Sequence, residues 1–268
     1  MKYTIFIFLI GLIGSVSANS GIQFRVSAGL DVFEARTRKK NTMIMKTGYP
    51  VLKGQPLHAG MRVSIPGENS EHHFLFSLSH SSLISDDGLG HNYILQSADS
   101  KFTCLQLEHQ MQMDILRFYA FDVDFAPLAG IEYQKRHLIY PGQAELKTSD
   151  VNVFFGIRTL PRLLLTERFS LQSGFDSFFY LPYLNMGSLK RWNSRHDQIE
   201  STPYHGFYYR TRFHCALVYR IEDRDLLKLG YRHERTVGFA NRTPLFYIDE
   251  LIHHRMDELH RIYLEYQL

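Results

Sequence analysis

From residue 22 onward, apolar and polar side chains alternate with a period of two. Ile22, Phe24, Val26, Ala28 and Leu30 interleave with Gln23, Arg25, Ser27, Gly29 and Asp31. That is the period of a strand with one apolar face, not the 3.6-residue period of a helix. The same alternation returns over 57–65, 74–78, 105–113, 119–125, 151–157, 169–175, 207–219, 227–231 and 262–268. The pattern predicts ten strands. The count becomes twelve if 115–134, which crosses Pro127, divides and a second division keeps the number even.

The connections alternate in length. Short ones are expected at 66–70, at a tight bend near Asp114, at 160–162 around Pro161, and at 221–225. Long ones are expected at 34–56, 84–100, 135–149, 178–205 and 236–256. One-sided loop lengths on an even set of antiparallel strands predict an all-β transmembrane barrel, with short periplasmic turns and long extracellular loops. A soluble β-sandwich also alternates. It does not account for the loop asymmetry, or for 20 Phe and 16 Tyr against a single Trp.

The chain ends Arg261-Ile262-Tyr263-Leu264-Glu265-Tyr266-Gln267-Leu268. Its apolar residues stand at the last position and two, four and six places before it. This stretch resembles the C-terminal signal of bacterial outer-membrane barrels. The resemblance implies an outer-membrane location and recognition by the barrel-assembly machinery through the last strand. That strand must pair with the first to close the barrel. At the other end, Lys2, the apolar run 5–13 and Val16-Ser17-Ala18 read as a signal peptide over 1–18. One barrel domain over 19–268 then remains.

Net charge is +3, with no basic block, so nucleic acid is not an expected partner. Cys104 falls among polar alternates and Cys215 among apolar ones. Opposite faces predict two free thiols. No metal or cofactor is expected.

The polar alternates that would face inward include Arg25, Arg62, Glu108, Asp114, Asp176, Arg210, Arg212, Lys228, Arg232, Glu234, Arg261 and Glu265. Barrels of about eight to ten strands have interiors that side chains fill, whereas open channels belong to barrels of roughly sixteen. The expected lumen is therefore a charged network of Arg25, Arg62, Glu108, Arg210, Arg212, Arg232, Glu234 and Glu265, which pair and close it. A narrow channel is the alternative.

One constellation has the residue types of acyl hydrolysis. His80 and Ser82 are two apart, continue the outward row Phe74, Phe76 and Leu78, and so share a face. An imidazole takes a serine proton when a third group orients the ring. The pair resembles the His-x-Ser motif of outer-membrane phospholipase A and of lipid A 3-O-deacylase. That resemblance implies a lipid-directed serine esterase with His80 as base and Ser82 as nucleophile. The third member would be Asp99, with Asn92 the other candidate, and Leu83 stands where those families have Asn.

From about Gly60 to Leu146 the order of features also resembles an uncharacterised bacterial family, the domain of unknown function 1207. His80, Ser82 and Asp87 match its first stretch, and Gly130-Ile131-Glu132-Tyr133 its second. The Tyr, second Ser, second His, Gly and Glu of the first stretch are missing. Asp122-Val123-Asp124 resembles the carboxylate pair of the omptin proteases, whose second pair would be Asp-x-His; the nearest match is His196-Asp197, at another spacing. Asp86-Asp87 could hold calcium but reads as a polar turn. His72-His73 and His253-His254 lack metal-site spacing, because adjacent strand residues point apart. His109 interrupts an apolar row without explanation from sequence.

The expected protein is an outer-membrane β-barrel of structural or binding type. Its expected partners are outer-membrane lipid, the assembly machinery and an extracellular ligand at the loops.

Overall fold

In the computed structural model the described residues are 21–39, 51–68, 70–86, 101–139, 145–181, 186–193, 198–221, 226–241 and 251–267. The signal peptide, Asn92, Asp99 and His196-Asp197 lie outside them. Twelve strand segments form one antiparallel sheet. They are β1 (Gln23–Lys39), β2 (Val51–Gly54), β3 (Leu57–Pro66), β4 (Glu71–Asp86), β5 (Lys101–Phe118), β6 (Phe121–Ile139), β7 (Glu145–Leu164), β8 (Phe169–Tyr180), β9 (Met186–Asn193), β10 (Gln198–Arg220), β11 (Leu226–Asn241) and β12 (Leu251–Gln267).

Two pairs of segments share one position in the wall. Both β2 and β3 lie between β1 and β4, and both β8 and β9 lie between β7 and β10. Among the described residues, ten staves therefore surround the lumen. The ring closes where β12 pairs with β1, from Arg25 opposite Gln267 to Lys39 opposite His253. No helix among the described residues is long and apolar enough to cross a membrane.

Burial follows the period-two pattern. Outward Leu30, Phe76, Leu107, Phe155, Phe175, Leu229 and Ile262 are exposed, while inward Glu108, Asp176, Arg212 and Arg261 are buried. Most strands outrun their sequence signal. The regions expected as long loops contain the outward ends of β1, β4, β6, β7, β8, β10, β11 and β12, and all of β2 and β9. Alternation reports strands only while one face meets lipid; beyond the apolar band both faces tolerate polar residues and the periodicity fades.

Two expected turns move. Near Asp114 the chain does not bend; a register shift marks a β-bulge there, and β5 continues to Phe118. The hairpin turn follows at Tyr119-Ala120, with Tyr119 in the left-handed region at φ 49°. Likewise Pro161 lies within β7, opposite Val123 of β6. The β7–β8 ladder has no pairs at Leu160 and Pro161, where proline has no N–H to give. The turn comes later, over 165–168, with the Thr166 hydroxyl accepting from the Phe169 amide at 3.0 Å.

Close backbone approach fixes where some staves pack. A Cβ on Gly156 would fall 2.2 Å from the Ser177 carbonyl oxygen and 3.1 Å from the Leu128 side chain. We expect Gly156→Ala to destabilise the detergent-folded barrel by about 1–3 kcal/mol. Urea unfolding followed by far-UV circular dichroism checks this, and an unchanged midpoint would contradict the packing.

Candidate functional site

Arginines and carboxylates meet inside the ring. The Arg158 guanidinium grips Asp176 with two hydrogen bonds, at 2.6 and 2.5 Å. Arg212 reaches Asp176 at 3.2 Å, Glu108 at 3.1 Å and Glu234 at 3.3 Å. Glu108 is also held by Gln106 at 2.7 Å and by Gln110. Arg210 bridges Glu132 at 2.6 Å and Glu234 at 3.6 Å, and its Nε donates to Thr236 at 2.9 Å. Arg232 pairs with Glu234.

These contacts cross the lumen. Arg212 on β10 and Glu108 on β5 are four staves apart around the ring. Arg136 on β6 meets Asp257 on β12 at 2.5 Å, five staves away, on the opposite wall. The Arg136 guanidinium lies 5.4 Å over Phe33, which stacks on Phe102 at 4.4 Å. At the closing seam Arg261 of β12 holds Asp31 of β1 with bonds of 2.6 and 2.8 Å, and donates to Ser79 of β4 at 3.1 Å. Nearer the hairpin end, Arg25 lies 3.8 Å from Glu265, and its Nε donates to Gln267 at 2.8 Å.

Arg62 lines a cavity of about 60 Å³ with Glu108, Arg212, Arg232, Arg261 and Glu265. That is room for a few waters. The eight residues expected as a lumen network therefore lie in one interior. Asp114 does not join them: it sits exposed at the hairpin end with Arg117. Tyr208, which shares the parity of Arg210 and Arg212, joins an inward cluster with Phe154, Phe178 and Tyr180, which alternation did not assign to the lumen. Arg212 lies 4.5 Å over the Phe178 ring. In Val153-Phe154-Phe155 both faces are apolar, so parity does not assign Phe154 to the lumen.

His80 and Ser82 are exposed on the outward face. His80 is nine residues from Glu71 at the hairpin end of β4. At about 3.3 Å per residue and a tilt near 40°, it stands roughly 23 Å up an apolar band about 25 Å tall. Its Nδ1 is 2.9 Å from the Thr103 hydroxyl, the residue opposite it on β5. No hydrogen bond joins His80 to Ser82 among the described residues. Thr103, not an acid, holds the ring.

The pair resembling omptin carboxylates lies near the hairpin end. Arg162 binds Asp122 at 2.8 Å, and Gln112 donates to Asp124 at 2.6 Å. His109 gains an account: it lies 3.2 Å from His72, its ring stacked on His72 at 5.4 Å and on Phe74 at 4.8 Å. One outward grouping escaped the sequence reading. His233 and His260 face each other across β11 and β12, beside Glu258 and Arg235. The signal was there: Glu258 and His260 are two apart on an apolar row, and His233 has the matching parity on the neighbouring strand.

No family model matches the chain, and no curated protein does. Solved structures do. The outer membrane protease OmpT from Escherichia coli superposes with a TM-score of 0.61 at 8% identity, covering 92% of this chain and 96% of that one. The translocator domain of the autotransporter NalP from Neisseria meningitidis gives 0.46 at 9% identity, covering 99% and 95%. A major outer membrane protein from Thermus thermophilus gives 0.42 at 10% identity, covering 92% and 99%. At 8% identity the likeness to OmpT is one of fold. The chain has the fold of a bacterial outer-membrane β-barrel.

Removing one partner of a buried ion pair leaves the other charge stranded, at about 3–5 kcal/mol, whereas an apolar replacement of both is near neutral. We therefore expect Arg136→Met and Asp257→Leu each to lower barrel stability by up to about that amount, and the double variant to recover part of it. A double-mutant cycle in urea checks this; additive losses would mean the pair is not coupled.

Proposed function

We propose that the protein is an outer-membrane barrel of structural or binding type, whose lumen is closed by its own charged side chains and whose outward end carries the interaction surface. The observation behind this reading is the set of ion pairs that join distant staves, above all Arg136–Asp257 and Arg212–Glu108. A solute crossing the barrel would have to part them. Outer-membrane lipid covers the exposed apolar face, and the assembly machinery meets the chain through β12. No family model supports the resemblance to the domain of unknown function 1207, and it adds no activity. A protease reading is weaker, because Asp122 and Asp124 are engaged near the hairpin end.

A lipid-directed esterase is the second reading. It is favoured by the exposed, outward placement of His80 and Ser82 near the headgroup zone and by the Thr103 contact, which leaves the His80 Nε2 available. The absence of an acid on the His80 ring among the described residues weighs against it.

In a planar lipid bilayer we expect the folded protein to give no sustained conductance steps. Stable single-channel openings would favour the channel instead. In phospholipid and lipid A turnover assays, we expect Ser82→Ala to match the unsubstituted protein. Loss of measurable hydrolysis in that variant would establish the esterase.

A further inference from the structure

The outer wall carries a grouping that the lumen network does not explain. On β11 the outward row runs Leu227, Leu229, Tyr231, His233, Arg235; on β12 it runs Leu264, Ile262, His260, Glu258. Counted from the hairpin ends of their strands, His233 and His260 stand roughly 18 Å up the band and Glu258 and Arg235 roughly 23 Å, near its outward edge. Polar groups on a lipid-facing strand are costly and call for a reason.

His233 and His260 occupy opposed positions, and their rings stack at 4.6 Å with an interplanar angle of 20°. Side by side, two imidazolium rings would repel; two neutral rings offer adjacent lone pairs. Glu258 completes the set, with one ligand atom from each of the three residues lying within 4.8 Å of the others. The Tyr231 hydroxyl lies 2.7 Å from the His260 Nδ1. A hydroxyl accepting from Nδ1–H fixes the tautomer and leaves Nε2 as a lone-pair donor, the usual arrangement behind a metal-bound histidine. Arg235 lies 3.6 Å from Glu258 and competes for its carboxylate.

We propose that His233, His260 and Glu258 form a binding site for a divalent transition metal of the zinc class on the outer face of the barrel. Two imidazoles and one carboxylate suit zinc at about 2.0–2.2 Å, with a fourth position open to water or to an oxygen donor from outside. Tetrahedral donors at those bond lengths stand about 3.4 Å apart, so the three atoms close by at most about 1.4 Å, within reach of side-chain rotation on a rigid two-strand ladder. Binding replaces the Glu258–Arg235 contact, links β11 and β12 through their side chains, and gives the outer leaflet a fixed dication beside Arg235.

The test is zinc binding to the full-length folded barrel in detergent at neutral pH, by isothermal titration with zinc chloride. Folding of each variant is checked by heat-modifiable gel mobility. We expect one zinc per chain in the unsubstituted protein. His233→Ala with His260→Ala should abolish that site while the barrel stays folded, and Tyr231→Phe should weaken binding about tenfold by freeing the ring tautomer. Arg235→Gln should strengthen it about two- to fivefold by releasing Glu258. Stoichiometric binding that survives the double histidine variant unchanged, or no saturable binding in the unsubstituted protein, overturns the proposal. Should the double variant misfold, Glu258→Gln and Arg235→Gln, whose expected effects have opposite signs, decide between the same outcomes; equal affinities in both would also overturn it.

Discussion

Ten staves enclose a space that must be filled by something, and here the filling is arginine paired with carboxylate. Ionised groups taken from water into a low-dielectric interior are strongly destabilising unless they find partners. Each arginine offers a planar fork of five donors, which lets one side chain hold two acceptors on different strands. Arg212 does this with Glu108, Asp176 and Glu234, and Arg210 with Glu132 and Glu234. The pairs are long enough to reach between walls: strand number and stagger set how far apart the walls stand and where each guanidinium starts, and the pairs fill the space so defined.

The same dependence appears at the seam. β12 meets β1 by backbone pairing, and Arg261 clamps Asp31 across that junction while also touching Ser79 of β4. The last strand thus gives its outward Ile262 and Leu264 to lipid and its inward Arg261 and Glu265 to the core. Closure removes the sheet edges that would otherwise recruit other chains.

How much of this was legible in the sequence depends on what each position faces. Where one side meets lipid and the other a polar lumen, contrast is high, and residues such as Phe76, Leu107, Arg212 and Glu265 declare their side by parity alone. Parity also put His80 and Ser82 outward. It fails where both neighbours are alike, as at Phe154, where an apolar residue enters the lumen among apolar neighbours. It fades again along β9 and the outward ends of β1 and β10, where strands continue past the apolar band. Partners across strands are invisible to a linear reading. Thr103 behind His80, His72 behind His109, and His233 opposite His260 all depend on register. Proline misled in one case, since Pro161 suggested a turn where the ladder merely drops two pairs.

A native probe lies at the centre of the account. Cys104 faces the lumen beside Glu132 and Arg210, whereas Cys215 faces outward. In a Cys215→Ser background, the folded barrel in lipid vesicles can be exposed to a membrane-impermeant, positively charged thiol reagent. If the arginine–carboxylate pairs close the lumen, Cys104 stays unmodified until the barrel is unfolded, and then reacts fully. Prompt modification of Cys104 in the folded barrel would contradict a closed lumen.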